Sequence, residues 1–262
     1  MSSTAETQLT LVQIDNYGPW TVTPSPRREA DLQTLQSRLY ADLCQFIGNR
    51  DGYVFFTRFD NMVAVTNGID EDDHRRLQSS IGNRYPVTVS LSSASADSPV
   101  DALVTATEAL QRAGSAQDAD RREILRLAEP IPDPSAQRAH IAHFDVVDAT
   151  RTYTDELNAF DTFIEIEHAY ATLMRFMRTT YDGLSFFVGG DNIIAVCPDL
   201  DPEAYEAAVE HVESAAHVSL QVGVGSGRTA HQAGMAAKHA LEECRDSGLA
   251  VEIAGRVAER RR

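Results

Sequence analysis

Two aspartates in the first half of the sequence have the type and spacing of metal ligands. Asp15 closes the predicted strand LTLVQID, and Asp60 lies at or beside the tip of a predicted hairpin that should pair with that strand. Two carboxylates at one edge of a sheet are hard oxygen ligands that suit Mg²⁺, which keeps several waters and binds substrate phosphates. Two ions held in this way can clamp a polyphosphate and activate water. The pair therefore predicts a divalent-metal site for a nucleoside triphosphate.

The second half of the sequence offers a similar pair. Asp145 and Asp191 take the places of Asp15 and Asp60, and Asp148 is close by. A single aspartate is more often a turn or cap residue than a ligand. Because the two pairs coincide under an internal duplication, we predict that Asp145 and Asp191 also bind metal.

The NYGPW segment (16–20) follows Asp15 and leads toward a predicted helix. Backbone N–H groups of such a loop, together with the positive end of the helix, can cradle phosphates, and Gly18 would permit close approach. The alternative is a plain connection in which Tyr17 and Trp20 pack over the core. The segment VGVGSG (222–227) also has two interpretations, because its glycines are typical of a phosphate loop and of a tight turn.

Four arginines are candidates for contacts with an anionic substrate, namely Arg27, Arg28, Arg58 and Arg84. Arg27 and Arg28 stand at the start of a predicted helix, where a cation is unfavourable for the helix dipole. This placement indicates an anionic partner, although a solvated arginine is the commoner explanation. Arg58 lies in the predicted hairpin, and Arg84 lies in the motif NRYP.

An internal repeat predicts which elements must position these residues. The segment GYVFFTRFDNMVAV (52–65) matches GLSFFVGGDNIIAV (183–196) at seven of fourteen positions. Nearly the same offset aligns Asp15 with Asp145, so we predict a tandem duplication. The predicted domains span 1–130 and 136–262, joined by a proline-rich linker at 130–135.

Each half is predicted to follow the order β-α-ββ-α-β-α. In the first half, Leu32, Leu35, Leu39 and Leu43 recur at helical spacing after the first strand. Strands rich in Val, Ile and Phe beside amphipathic helices predict an α+β fold. The expected unit is a ferredoxin-like palm domain, an antiparallel sheet with packed helices, present twice.

Composition excludes several classes of protein. Asp and Glu number 39 against 23 Lys and Arg, a net charge of −16, so no basic stripe is available for nucleic acid. Lys238 is the only lysine, and an acidic, lysine-poor surface suits a salt-rich cytoplasm in which screening removes self-repulsion. No apolar stretch is long enough to span a membrane. The N-terminus is not a signal peptide, so we expect a cytoplasmic protein.

Six motifs resemble archaeal-type GTP cyclohydrolase III, and the resemblance runs from roughly Leu9 to Val251. The motifs are QIDNYGPWTVTPSPRREADLQTLQSRLYADL (13–43), TRFDN (57–61), NGID (67–70), NRYP (83–86), GSAQD (114–118) and VGGDN (188–192). The resemblance implies two tandem palm-like domains related to nucleotide cyclase and GGDEF domains, in agreement with the duplication. With the acidic composition, it implies a haloarchaeal source.

The resemblance also implies a reaction, the Mg²⁺-dependent opening of the imidazole ring of GTP. The formyl group stays on the product, 2-amino-5-formylamino-6-ribosylamino-pyrimidinone 5′-phosphate, and the outer phosphates leave as inorganic phosphate. Two or more Mg²⁺ ions are the expected cofactors, with a monovalent cation as a further candidate. The reaction implied is an early step of archaeal riboflavin and F420 biosynthesis.

Carried over motif by motif, the resemblance implies roles for residues of the first half. The catalytic residues implied are Asp15, Asp60 and Asn61. The substrate contacts implied are Asn16, Tyr17 and Gly18. The second half lacks the DNYGPW sequence, so its site could bind a second nucleotide, assist across an interface or be vestigial.

Two other functions fit the same sequence. A cyclase or diguanylate-type nucleotidyltransferase would make cyclic or dinucleotide products, and a non-catalytic sensor would bind GTP and return it unchanged. Palm domains often pair face to face, so we expect a homo-oligomer, while the covalent pair leaves a pseudo-dimeric monomer as the alternative.

Overall fold

The structure, a computed structural model, describes residues 6–58, 60–128 and 137–255. The chain divides into two compact units, Met1–Arg138 with Arg228–His231, and Ala139–Gly227 with Gln232–Arg262. The predicted linker at 130–135 lies outside the described residues. No helix in the described ranges is long and apolar enough to cross a membrane.

The first unit is a five-stranded sheet with helices packed against it. Its strands are β1 (Thr7–Ile14), β2 (Tyr53–Phe56), β3 (Asn61–Val65), β4 (Val89–Ala96) and β5 (Leu125–Leu127), and its helices are α1 (Tyr17–Val22), α2 (Glu29–Gly48), α3 (Glu71–Gly82) and α4 (Pro99–Arg112). The strand order is β2-β3-β1-β4-β5. The β4–β5 pair is parallel, whereas the other pairs are antiparallel. The α+β prediction is confirmed, but the sheet is mixed rather than purely antiparallel.

The second unit repeats this arrangement. Its strands are β6 (Ala139–Val146), β7 (Leu184–Gly189), β8 (Asn192–Cys197), β9 (Leu220–Gly227) and β10 (Val251–Ile253), and its helices are α5 (Ala159–Thr180), α6 (Pro202–Ala216) and α7 (Ala230–Ser247). The order is β10-β9-β6-β8-β7, with β10 parallel to β9. A π-helical turn, Thr150–Thr154, stands between β6 and α5.

The core of the first unit determines which way the end of β1 faces. Val12 and Ile14 are buried with Leu39 and Leu43 of α2 and Leu77 of α3. Because side chains alternate along a strand, the residues between Val12 and Ile14 and directly after them face the other side of the sheet. The acidic end of β1 is therefore held away from the part of the core that α2 and α3 cover.

Helix α7 of the second unit lies against β9 at backbone distance. A Cβ atom on Gly223 would lie 2.2 Å from the Ala237 carbonyl oxygen and 2.2 Å from the Leu241 nitrogen. A Cβ atom on Gly225 would lie 2.4 Å from the Ala233 carbonyl oxygen. The VGVGSG segment is thus neither a phosphate loop nor a tight turn. Its glycines lie in strand β9, where the absence of a Cβ atom allows helix α7 to pack directly against the strand backbone.

We expect Gly223→Ala to lower the free energy of unfolding by about 3 kcal/mol, near the upper end of the usual cost of overpacking. The added carbon meets backbone atoms, which cannot move without displacing α7. Gly48→Ala is the control, because a Cβ there would have no atom within 4 Å. Denaturant unfolding at molar KCl measures both variants, and equal stabilities would contradict the close packing of α7 on β9.

Candidate functional site

Asp15 is buried at the end of β1 and its carboxylate is held by three donors. The Thr88 hydroxyl donates to Oδ2 at 2.8 Å, the Ser90 hydroxyl donates to Oδ1 at 2.5 Å, and the Glu123 backbone N–H donates to Oδ2 at 2.9 Å. Each carboxylate oxygen has two lone pairs. The Asp15 side chain is therefore fixed in place, and Oδ1 keeps one acceptor position for a further partner.

Asp60 lies beside the end of β1 because the Ile14 N–H donates to its carbonyl oxygen at 3.0 Å. Its Oδ2 accepts from Arg58 at 2.8 Å, and the Arg58 side chain is 79% exposed. Its Oδ1 is buried and has no hydrogen-bond partner in the described part of the chain. The predicted pair, Asp15 and Asp60, thus occupies adjacent ends of β1 and the β2–β3 hairpin.

Asn16 turns the chain between β1 and α1. Its backbone is left-handed, with φ 51°, and its N–H donates to the Ala116 carbonyl oxygen at 2.7 Å. Its side-chain Oδ1 is buried, and none of the described residues donates to it. The residues that follow form helix α1 rather than an open loop, and Tyr17 and Trp20 pack against the core, as the alternative for this segment predicts.

Gly18 and Tyr17, at the start of α1, are in contact with other segments. A Cβ atom on Gly18 would lie 2.3 Å from the Gln117 Oε1 atom, so only glycine admits this approach without displacing Gln117. The Tyr17 hydroxyl accepts from Gln36 at 2.8 Å, and the Tyr17 ring stacks on Trp20 at 6.0 Å. Burial raises the pKa of Tyr17, and Glu29 and Asp60 add to the shift.

The oxygens at this site fit a divalent cation. Two buried acceptors, Asp60 Oδ1 and Asn16 Oδ1, have no donor among the described residues, and buried polar atoms ordinarily have a partner. No group of three or more His, Cys, Asp or Glu side chains within the described ranges could hold a metal by itself. Mg²⁺ needs no such group, since it is often bound by one or two carboxylates and completed by substrate phosphates and water.

The structure separates the four predicted arginines. Arg58 contacts Asp60, as described above. Arg27 stacks over the Trp20 ring at 4.0 Å and donates to its carbonyl oxygen at 3.0 Å. Arg28 pairs with Asp31 at the surface, and Arg84 pairs with Asp42 of α2. Of these four arginines, Arg58 is therefore the one whose described contacts include a predicted metal ligand, Asp60.

Arg121 is a further residue at the site, and it was not among the candidates predicted from the sequence. Its side chain is 5% exposed, and its Nε and Nη2 atoms have no hydrogen-bond partner among residues that the structure describes. Burial lowers the pKa of Arg121, and Asp15 and Asp118 oppose the shift. The available signal was its position three residues after GSAQD (114–118). Asn61, predicted as catalytic, lines a cavity of the first unit that Arg121 also lines, and it accepts from Gln13 at 2.8 Å.

The second unit does not place Asp145 where the first unit places Asp15. In the first unit Gln13 is paired with Asn61, whereas in the second unit Asp145 is paired with Asn192. Asp145 therefore corresponds to Gln13, two residues earlier, and Val147 stands at the position of Asp15. The alignment of Asp15 with Asp145 is wrong. A two-residue shift keeps every side chain on its face of the sheet, so the hydrophobic pattern could not exclude it.

Asp145 already has a cation. Arg245 of α7 pairs with it at 2.8 Å, and Gln221 donates to it at 3.1 Å. Burial raises the pKa of Asp191, and the charge of Asp145 adds to the shift. His143 shares a 2.8 Å hydrogen bond with the Asn192 Oδ1 atom. An internal guanidinium thus supplies positive charge to these carboxylates, and metal binding by Asp145 and Asp191 stays a prediction.

Comparison with known proteins covers nearly the whole chain. A family model described as GTP cyclohydrolase III matches residues 9–257. The chain is 66% identical to GTP cyclohydrolase III 1 of Halobacterium salinarum, over 95% of this chain and 98% of that protein. It is 67% identical to GTP cyclohydrolase III of Natronomonas pharaonis, over 95% and 98%. Among solved structures, it is similar to the GGDEF domain of DgcB from Caulobacter crescentus at 14% identity, with a TM-score of 0.38, over 45% and 79%.

Proposed function

Because the chain belongs to the GTP cyclohydrolase III family, we propose that it opens the imidazole ring of GTP with the aid of Mg²⁺ bound in its first unit. The chain is an enzyme that acts on GTP. The product of the proposed reaction is 2-amino-5-formylamino-6-ribosylamino-pyrimidinone 5′-phosphate, with inorganic phosphate released. We further propose that this reaction is an early step of riboflavin and F420 biosynthesis.

One observation carries the proposed metal site. The buried oxygens Asp60 Oδ1 and Asn16 Oδ1 lack a donor in the described ranges, and Asp15 Oδ1 keeps one acceptor position. Asn16 follows Asp15 directly in the chain, and the Asp60 carbonyl oxygen accepts from the Ile14 N–H. These three residues would hold Mg²⁺. When bound, Mg²⁺ neutralises phosphate charge and lowers the pKa of a water ligand.

The residues around this site orient it. Thr88, Ser90 and the Glu123 N–H hold the Asp15 carboxylate, so the side chain does not have to reorganise when substrate arrives. Tyr17 and Trp20 form an apolar surface beside the site, and such a surface excludes water from one side of a bound nucleotide.

We also propose that the enzyme uses a monovalent cation as a second cofactor. Replacing KCl by NaCl or choline chloride at constant ionic strength would test this. We also propose that the chain forms a homo-oligomer, which light scattering at molar KCl would test. The mass of a monomer in solution would contradict the homo-oligomer.

Incubation of the protein with GTP and MgCl₂ at molar KCl tests the reaction. The expected result is loss of the purine absorbance, release of inorganic phosphate, and a product whose mass retains the formyl carbon. A cyclic or dinucleotide product would indicate a nucleotidyltransferase, and unchanged GTP would indicate a sensor. Either result would overturn the proposed reaction, and EDTA should abolish the expected one.

A further inference from the structure

A cavity of about 520 Å³ lies in the first unit on the α4 side of the sheet. We call it the Arg121 cavity. Its lining includes Gln13 of β1, Asn61 of β3, Gln111 of α4, and Arg58 and Arg121. Leu11, Val63 and Leu110 form an apolar part of its wall. The cavity is therefore bounded by the same hairpin and the same strand that position Asp60 and Asp15.

The charge in this cavity is positive, in a chain whose net charge is −16. Arg58 and Arg121 both line it, and none of the described residues that line it is Asp or Glu. The Arg121 side chain is 5% exposed, yet its Nε and Nη2 donors find no acceptor in the described ranges. Burying a charge is costly unless the charge is paired and hydrogen-bonded. The described residues thus supply no acceptor for these two donors, and an anion from outside the protein would supply one.

The uncharged polar groups agree with an anion. Gln13 donates its amide N–H to Asn61 Oδ1 at 2.8 Å, so the amide nitrogen of Asn61 is left as the donor end of that side chain. The Asp15 carboxylate already accepts from the Thr88 and Ser90 hydroxyls and from the Glu123 N–H, which leaves one acceptor position on its Oδ1. A guanine base presents N–H donors on its pairing edge, which a carboxylate accepts most strongly, and none of the described residues that line the cavity is Asp or Glu. Phosphate oxygens, by contrast, are acceptors.

We propose that the Arg121 cavity binds the outer phosphates of the triphosphate substrate, with Arg121 as their principal ligand. The inference rests on the proposed function for the identity of the substrate. Arg121 presents a fixed fork of N–H donors that matches the oxygens of a phosphate group. Arg58 changes its acceptor from Asp60 to phosphate when the nucleotide enters, which leaves both Asp60 oxygens for metal.

Inorganic tripolyphosphate is the probe, because its binding requires neither a base nor turnover. Calorimetric titration at molar KCl with MgCl₂ compares the wild type with Arg121→Gln, and we expect about a tenfold or greater loss of affinity for the variant, as for loss of a hydrogen-bonded charge. Gln111→Glu is a second variant. Gln111 is exposed on α4, so this change should leave the fold intact while it places a negative charge in the cavity.

Arg112→Gln is the matched control. It makes the net charge more negative by one, as the other two variants do, but Arg112 is exposed and pairs with Glu108. We expect its affinity for tripolyphosphate to equal that of the wild type. For GTP, Arg121→Gln should raise KM about tenfold or more, whereas the affinity for guanosine monophosphate should not change.

The outcomes separate this inference from the proposed function. Wild-type affinity for tripolyphosphate in both Arg121→Gln and Gln111→Glu would overturn the inference, whether or not GTP is consumed. Weakened tripolyphosphate binding in both variants, with Arg112→Gln unaffected, supports it even if the wild type returns GTP unchanged. In that last case the ring-opening proposal fails while the anion site stands.

Discussion

Asp60→Asn is expected to lower Mg²⁺-dependent turnover of GTP by about a hundredfold or more while the protein stays folded. A metal ion contributes several kcal/mol of charge stabilisation in a transition state, and each 1.36 kcal/mol corresponds to a factor of about ten in rate. The Asp60 Oδ1 atom has no partner in the described part of the chain, so the amide breaks no internal bond there. Steady-state kinetics over a range of MgCl₂ concentrations measures the loss.

Asp15→Asn is expected to lose activity to a similar extent and stability as well. Three groups donate to the Asp15 carboxylate, and an amide nitrogen in place of one oxygen would face a donor. A donor left unsatisfied in a buried site costs about 1–3 kcal/mol. Thermal unfolding at molar KCl should therefore separate the two variants, with Asp15→Asn the less stable.

Asp72→Asn is the control for both variants. Asp72 is exposed on α3, and its replacement makes the same change in net charge. We expect this variant to keep the activity of the wild type. Full activity in both Asp15→Asn and Asp60→Asn would contradict a metal held by these two carboxylates.

Transfer from molar to millimolar KCl is expected to lower the melting temperature by about 10 °C or more. The net charge of −16 makes self-repulsion the dominant electrostatic effect. At 1 M salt the Debye length is about 3 Å, so this repulsion is screened. Ion pairs such as Arg28–Asp31 strengthen at low salt, but exposed pairs contribute about 0–1 kcal/mol each. Repulsion should therefore prevail.

Sucrose is the control for this experiment, because it stabilises folded proteins by exclusion from their surface and does not screen charge. At millimolar KCl it should restore less of the melting temperature than KCl does. EDTA in every sample removes any contribution from bound divalent metal. A melting temperature that stays constant from molar to millimolar salt would contradict the role of charge repulsion.

The sequence predicted the architecture because its signals were local and repeated. The hairpin motif occurs twice with Asp and Asn at the same positions, and alternation along β1 placed Asp15 at the strand end. The short β5 and β10 were not predicted, because three residues carry too little pattern to indicate a strand. Their parallel pairing makes both sheets mixed.

The sequence could not predict two features of the sites. The correspondence of Asp145 with Gln13 follows from strand pairing, and the two-residue shift leaves the alternation of buried and exposed residues unchanged. The burial of Arg121 follows from the fold of residues 114–124 against β4, whereas arginine is mostly exposed in proteins. Neither feature has a signature in residue type alone.

The proposed metal site requires that Asp60 and its neighbours in the first unit hold the divalent cation together with the nucleotide. The most direct measurement is titration with Mn²⁺, followed by electron paramagnetic resonance, at molar KCl in the presence of 7-deaza-GTP. This analogue has carbon in place of N7, so C8 is no longer an amidine carbon that water can attack, and the C8–N9 bond that ring opening would break stays intact. We expect tight Mn²⁺ binding by the wild type and by Asp191→Asn, and its loss in Asp60→Asn. Undiminished Mn²⁺ binding by Asp60→Asn would contradict the proposed metal site.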